Sequence, residues 1–98
     1  MTDMNDTTKQ KVLDIAMNLN RIGNWVADDF EANKSKINVF IDNTNRYILT
    51  LGDFNLEFED TWNNFKKKYP QMITNVSNNA ENLMTWGNIL THRARLIG

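Results

Sequence analysis

The sequence predicts an all-α domain, a small bundle of about four helices, and three observations carry that expectation. Apolar residues recur at three- and four-residue spacing over nearly the whole chain, which places them on one face of a helix. No segment shows the alternating pattern of a half-buried strand. One proline and four glycines in 98 residues leave little room for loops. Gly52 is the only glycine between two long periodic stretches. It is expected as a helix C′ residue in the left-handed conformation, which glycine adopts without a Cβ penalty. Asp53 then caps the next helix. The chain reads as one domain over residues 1–98, two helical arms folded at Gly52. The alternative is a kinked hairpin that dimerises with a second copy.

In residues 7–31, Val12, Ile15, Ala16, Leu19, Ile22, Val26 and Phe30 form one stripe. Thr7 or Asp6 is placed to cap its start. Gly23 lies on the stripe inside the helix, where glycine costs roughly 1 kcal/mol against alanine. Close approach of a neighbouring helix explains it. Ile37, Phe40, Ile41, Thr44, Tyr47, Ile48 and Leu51 form the second stripe, with no proline or glycine separating the two. One helix of about 45 residues, roughly 67 Å long, is one reading. A break near Asn33 is the other, favoured because so long a helix is rare in a small domain.

The third segment is aromatic. Phe54, Phe58, Trp62, Phe65 and Tyr69 share a face. Pro70 is expected to end or kink this helix, or to open the next one. Met72, Val76, Ala80, Leu83, Gly87, Leu90, Ala94 and Ile97 form the last stripe. Its residues Ala80, Gly87 and Ala94 repeat every seven positions, so one side stays small and admits a tightly apposed neighbour.

Composition excludes several classes of function. The chain has no cysteine, hence no disulfide framework, zinc–thiolate cluster or thiol nucleophile. No apolar run approaches the roughly 20 residues of a membrane span. The first residues are acidic and polar, unlike a signal peptide, so a cytoplasmic protein is the expectation. Asparagine occurs 16 times; it is a poor helix former, so tertiary packing must hold the helices.

Catalytic constellations are missing. His92, the single histidine, has no carboxylate within four residues. Asp28/Glu31 and Glu57/Asp60 have helical i, i+3 spacing, but the Glu-x-x-His elements of di-metal bundles are lacking. No glycine-rich phosphate loop or nucleophile motif occurs. We therefore expect no enzyme, cofactor or metal.

Two surface features remain. Trp25, Ile89 and Leu96 point away from the stripes and Trp86 sits at the edge of one, which marks them as partner contacts. Leu13, Met17, Val39 and Leu49 also miss the stripes, and a broad apolar arc facing two neighbours accounts for Leu13, Met17 and Leu49 and is the alternative reading for Trp86. The second feature is charge. Residues 61–98 hold five bases (Lys66, Lys67, Lys68, Arg93, Arg95) against Glu81, a balance of +4 in a chain of net −1. Together with amide and hydroxyl donors, and with Trp62 and Trp86 nearby, these cations suit a nucleic-acid backbone.

Gly52, followed by Phe58 and Phe65, resembles the turn region of the small secreted helical-hairpin proteins named for a Trp-x-Gly motif, although Thr50 stands where that motif has tryptophan. That resemblance implies a secreted hairpin. The residues themselves point first to a non-catalytic helical subunit that packs against protein partners, or against itself, inside a larger assembly. The alternative is a small helical subunit of a nucleoprotein complex, of the RNA-guided effector type, touching nucleic acid through Lys66, Lys67, Lys68, Arg93 and Arg95. This comparison is one of size and class only.

Overall fold

The computed structural model describes residues 4–97, with side chains from residue 7 onward. Helix α1 runs Met4–Thr50 and is broken at Asp29, whose backbone is extended (φ −162°, ψ 97°). The spacing favours a break near Asn33, and the structure places it one turn earlier. Side-chain hydrogen bonding explains the shift. Asp29 Oδ1 accepts from the Ala32 backbone N–H at 3.0 Å, the bond of an N-cap to the third residue of the helix that follows. Asn33 closes the other side of the break by donating Nδ2 to the Trp25 carbonyl at 3.1 Å, one of the carbonyls that a helix end leaves unpaired.

The two arms of α1, 4–28 and 30–50, fold back on each other. A straight helix of 47 residues would span about 70 Å, whereas the longest extent of the whole molecule is 41 Å. Buried Asn18 donates to Thr44 Oγ1 at 3.2 Å, and Lys11 Nζ reaches Thr50 Oγ1 at 3.3 Å. Near the break, Trp25 meets Phe40 edge to face at 4.9 Å. Replacing Asp29 by alanine is expected to cost about 1 kcal/mol, the usual worth of such a cap, while Asp29→Asn keeps most of it. Urea denaturation measures this; equal midpoints for wild type and Asp29→Ala would remove the cap from the explanation.

Helices α2 (Leu56–Thr74) and α3 (Ala80–Arg93) follow, with short 3-10 turns at Val76–Asn78 and Ala94–Leu96. The fold is thus small and all-helical, with three helices among the described residues, the first bent into two arms. Several termini differ from expectation. Helix α1 begins at Met4, so Thr7 lies inside it; the Asp6 side chain is outside the described residues. No described glycine has positive φ. Gly52 therefore does not take the left-handed conformation; five residues, 51–55, make the corner with room to spare. Asn55 rather than Asp53 precedes α2 as its N-cap.

Pro70 does not end α2. It sits on the exposed face, and the helix continues to Thr74. Proline removes one hydrogen bond and crowds the carbonyl one turn earlier, and its place on the exposed face leaves that carbonyl toward solvent. Helix α2 stops instead at Asn75, where an asparagine network takes over. Asn78 donates to Asn75 Oδ1, Asn79 to the Asn75 carbonyl, and Asn82 to Asn79 Oδ1, at 2.8–3.1 Å. The last apolar stripe is consequently split: Met72 belongs to α2, Leu83, Gly87 and Leu90 to α3, and Ala94 and Ile97 to the terminal turn. All six are buried.

Two kinds of packing hold these elements. Helix α3 lies against α1 through small residues. A Cβ at Gly23 would stand 2.9 Å from the Ala80 carbonyl oxygen, and one at Gly87 2.9 Å from that of Ala16. Each glycine is therefore a point where a neighbouring backbone passes. Helix α2 contributes an aromatic ladder. Trp62 and Phe65 are 5.3 Å apart, as are Phe65 and Tyr69, and Phe65 reaches Trp86 of α3 at 5.8 Å. Phe58, Trp62 and Phe65 are fully enclosed.

Candidate functional site

The C-terminal arm of α1 and helix α2 leave an apolar groove between them. Ile48 and Leu49 line one wall and Tyr69, Pro70 and Ile73 the other, around about 390 Å³, with Asn45 and Lys66 completing the lining. Positions 45, 48 and 49 share one helix face, as do 66, 69, 70 and 73, so two facing stripes build the groove. Leu49 stands in it 85% exposed. The Tyr69 hydroxyl donates to Asn45 Oδ1 at 2.7 Å, tying the walls together. Burial, and then the negative charge of Asp42, raise the Tyr69 pKa well above the ordinary phenol value. The hydroxyl therefore stays a donor across the physiological range, and the wall keeps its shape.

Leu49 is an apolar residue off the stripe, which spacing alone assigns to a broad core arc. The structure gives it no such partner. Leu56, Val39 and Met17 are the other large apolar side chains left exposed among the described residues.

The residues expected as partner contacts are all half-buried and do not form one patch. Trp25 is engaged with Phe40, and the Lys36 ammonium lies 5.7 Å from its ring centroid. Leu96 lies in the terminal turn, where its carbonyl accepts from Asn55 Nδ2 at 2.8 Å. Trp86 and Ile89 share a second groove, between α2 and α3.

The basic residues are dispersed as well. Lys66 lines the apolar groove, and Lys68 lines the α2–α3 groove on the other side of α2. Lys67 is exposed and belongs to neither. Arg93 joins the α2–α3 groove, whereas Arg95 projects from the terminal turn. Trp62, considered beside this basic set, is only 1% exposed and is closed to any ligand. Its indole N–H finds no hydrogen-bond partner among the described residues.

Among the described residues, no three His, Asp or Glu side chains gather where one metal ion would be held, and no helix is long and apolar enough to cross a membrane. His92 is exposed on the last turn of α3. Asp29 serves the α1 break, and the acidic residues at the start of α2 face solvent. Comparison with protein-family models, with curated proteins and with solved structures finds no match, so geometry alone carries the functional reading.

Proposed function

We propose that this protein is a non-catalytic helical subunit of a larger assembly, and that it works by docking a helix of a protein partner into the groove between α1 and α2. One observation carries the reading: Leu49 is 85% exposed beside a groove walled by Ile48, Tyr69, Pro70 and Ile73. Burying a leucine that is otherwise in water yields about 1.5–3 kcal/mol, so a partner that covers it gains a central anchor. A groove between two helices accepts the apolar face of a third, with side chains at i, i+3 and i+4. Lys66 on the lining favours an acidic residue on the partner's flank. A second copy of the chain is the competing occupant and would make the dimer considered from the sequence.

Leu49→Asp tests this without disturbing the core, because the side chain touches little. The variant is expected to keep the wild-type circular dichroism and melting temperature. It should lose the partner captured by tagged wild-type protein from the native source, whereas Leu49→Met should retain it. Equal capture by wild type and Leu49→Asp overturns the docking site. Light scattering over a concentration series covers the other occupant: a mass that rises for wild type and not for Leu49→Asp assigns the groove to a second copy.

A further inference from the structure

The α2–α3 groove has a different chemistry from the apolar one. On α3 it is lined by Asn79, Asn82, Trp86, Ile89 and Arg93, spaced alternately three and four residues apart, a continuous stripe along one face. On α2 the matching stripe is Thr61, Asn64, Lys68 and Gln71, running antiparallel to it. The groove is made of two adjoining pockets whose one shared lining residue is Trp86. Trp86 is half-buried, with one side braced by Phe65 at 5.8 Å. Lys68 lies in the half toward Asn79, and Arg93 in the half toward Asn64. Neither cation makes an ion pair or side-chain hydrogen bond among the described residues. One carboxylate, Asp60, lines the Arg93 half.

We propose that this groove binds single-stranded nucleic acid, with a base stacked on Trp86 and the flanking phosphates taken by Lys68 and Arg93. An aromatic platform set in a cationic track is how single strands are held without sequence reading, because every base offers a π-face. Amides such as Asn64, Gln71 and Asn82 add donors to sugar and phosphate oxygens. The stripe from Asn79 to Arg93 is about 21 Å long at 1.5 Å per residue, which accommodates a few nucleotides. A paired base cannot reach Trp86, so duplexes are discriminated against. Asp60 opposes the phosphate at its end of the groove and limits affinity there. The reading is independent of the α1–α2 docking site, which lies on the other side of α2.

Fluorescence anisotropy with labelled oligo-dT and oligo-U of about ten nucleotides, and with a duplex of the same length, tests the proposal on the full chain. Both single strands should bind in a salt-dependent manner and more tightly than the duplex; a preference for oligo-U assigns RNA as the ligand. Lys68→Ala and Arg93→Ala should each weaken binding and lower the salt slope by about one. Asp60→Asn should tighten it. Trp86→Phe keeps the packing on Phe65 and should weaken binding by a few-fold, with more than fivefold loss for Trp86→Ala. Three results would overturn the site: no binding by wild type, equal binding of duplex and single strand, or affinities unmoved by Lys68→Ala combined with Arg93→Ala. Specific capture of a protein at Trp86, with oligonucleotides unbound, would reassign the groove to a polypeptide.

Discussion

Leucine at position 87 is expected to destabilise the fold by about 3 kcal/mol, out of the total of about 5–15 kcal/mol typical of a small domain. Helix α3 approaches α1 so closely there that a Cβ would lie 2.5 Å from Asn20 Nδ2 and 2.9 Å from the Ala16 carbonyl oxygen. Asn20 can rotate, although it would give up its own bond to the Ala16 carbonyl at 3.2 Å. The carbonyl oxygen belongs to the α1 backbone and cannot move without the helix. Alanine at 87 is the graded control. It gains about 1 kcal/mol of helix propensity and meets the same carbonyl, so a net loss of about 1 kcal/mol is expected. Gly52→Ala makes the opposite control, since its Cβ meets nothing within 4 Å and its φ is not positive. It should be neutral or stabilising by up to about 1 kcal/mol. Denaturant unfolding of the three variants separates close packing from glycine's intrinsic flexibility; a Gly87→Leu midpoint equal to that of wild type would refute the tight α1–α3 contact.

Phe65→Ala should be still more damaging, at about 3–5 kcal/mol. The ring is fully buried and contacts Trp62, Tyr69 and Trp86, at 5.3, 5.3 and 5.8 Å. It joins the α2 ladder to α3, and it braces Trp86 from the inside. Removing it opens a cavity beside Trp62 and frees Trp86 to turn. Phe65→Leu retains most of the volume and should cost under about 1.5 kcal/mol. A melting temperature unchanged in Phe65→Ala would contradict the aromatic core.

The core was legible from residue spacing. Val12, Ile15, Ala16, Leu19 and Ile22 face inward as their period demands, as do Phe58, Trp62 and Phe65. Gly23 and Gly87 were readable as points of close approach because a helix interior tolerates glycine only for such a reason. The breaks were harder to place. Spacing says which way a side chain points, but a break depends on a few polar contacts. Asp29 bonds three residues ahead and Asn33 eight residues back, and a run with no proline or glycine advertises neither. The same limitation applied at the end of α2, where Asn75, Asn79 and Asn82 stop the helix five residues beyond the proline. The abundance of asparagine, which looked only like a weakness in helix propensity, supplies these junctions.

The surface was less legible still. Leu49 and Trp25 both miss their stripes, and spacing assigns Trp25 to a partner and Leu49 to a broad core arc. The fold reverses this, by giving Trp25 the face of Phe40 and leaving Leu49 outside. Likewise the three consecutive lysines look like one patch on paper. Helical geometry sends Lys66 and Lys68 to opposite sides of α2, so only one of them reaches the tryptophan that would stack a base.

The α1–α2 groove exists only because α1 folds back at Asp29 and brings residues 45–49 beside α2. The distance between positions 11 and 50 tests that directly. The chain has no cysteine, so nitroxides at Lys11→Cys and Thr50→Cys give a spin pair free of background labelling. The folded-back arms, with Lys11 Nζ 3.3 Å from Thr50 Oγ1, predict strong dipolar broadening of the continuous-wave spectrum. A continuous helix would separate the two sites by roughly 58 Å, and an unbroadened spectrum with a distance of that order would contradict the folded-back α1 on which the docking groove stands.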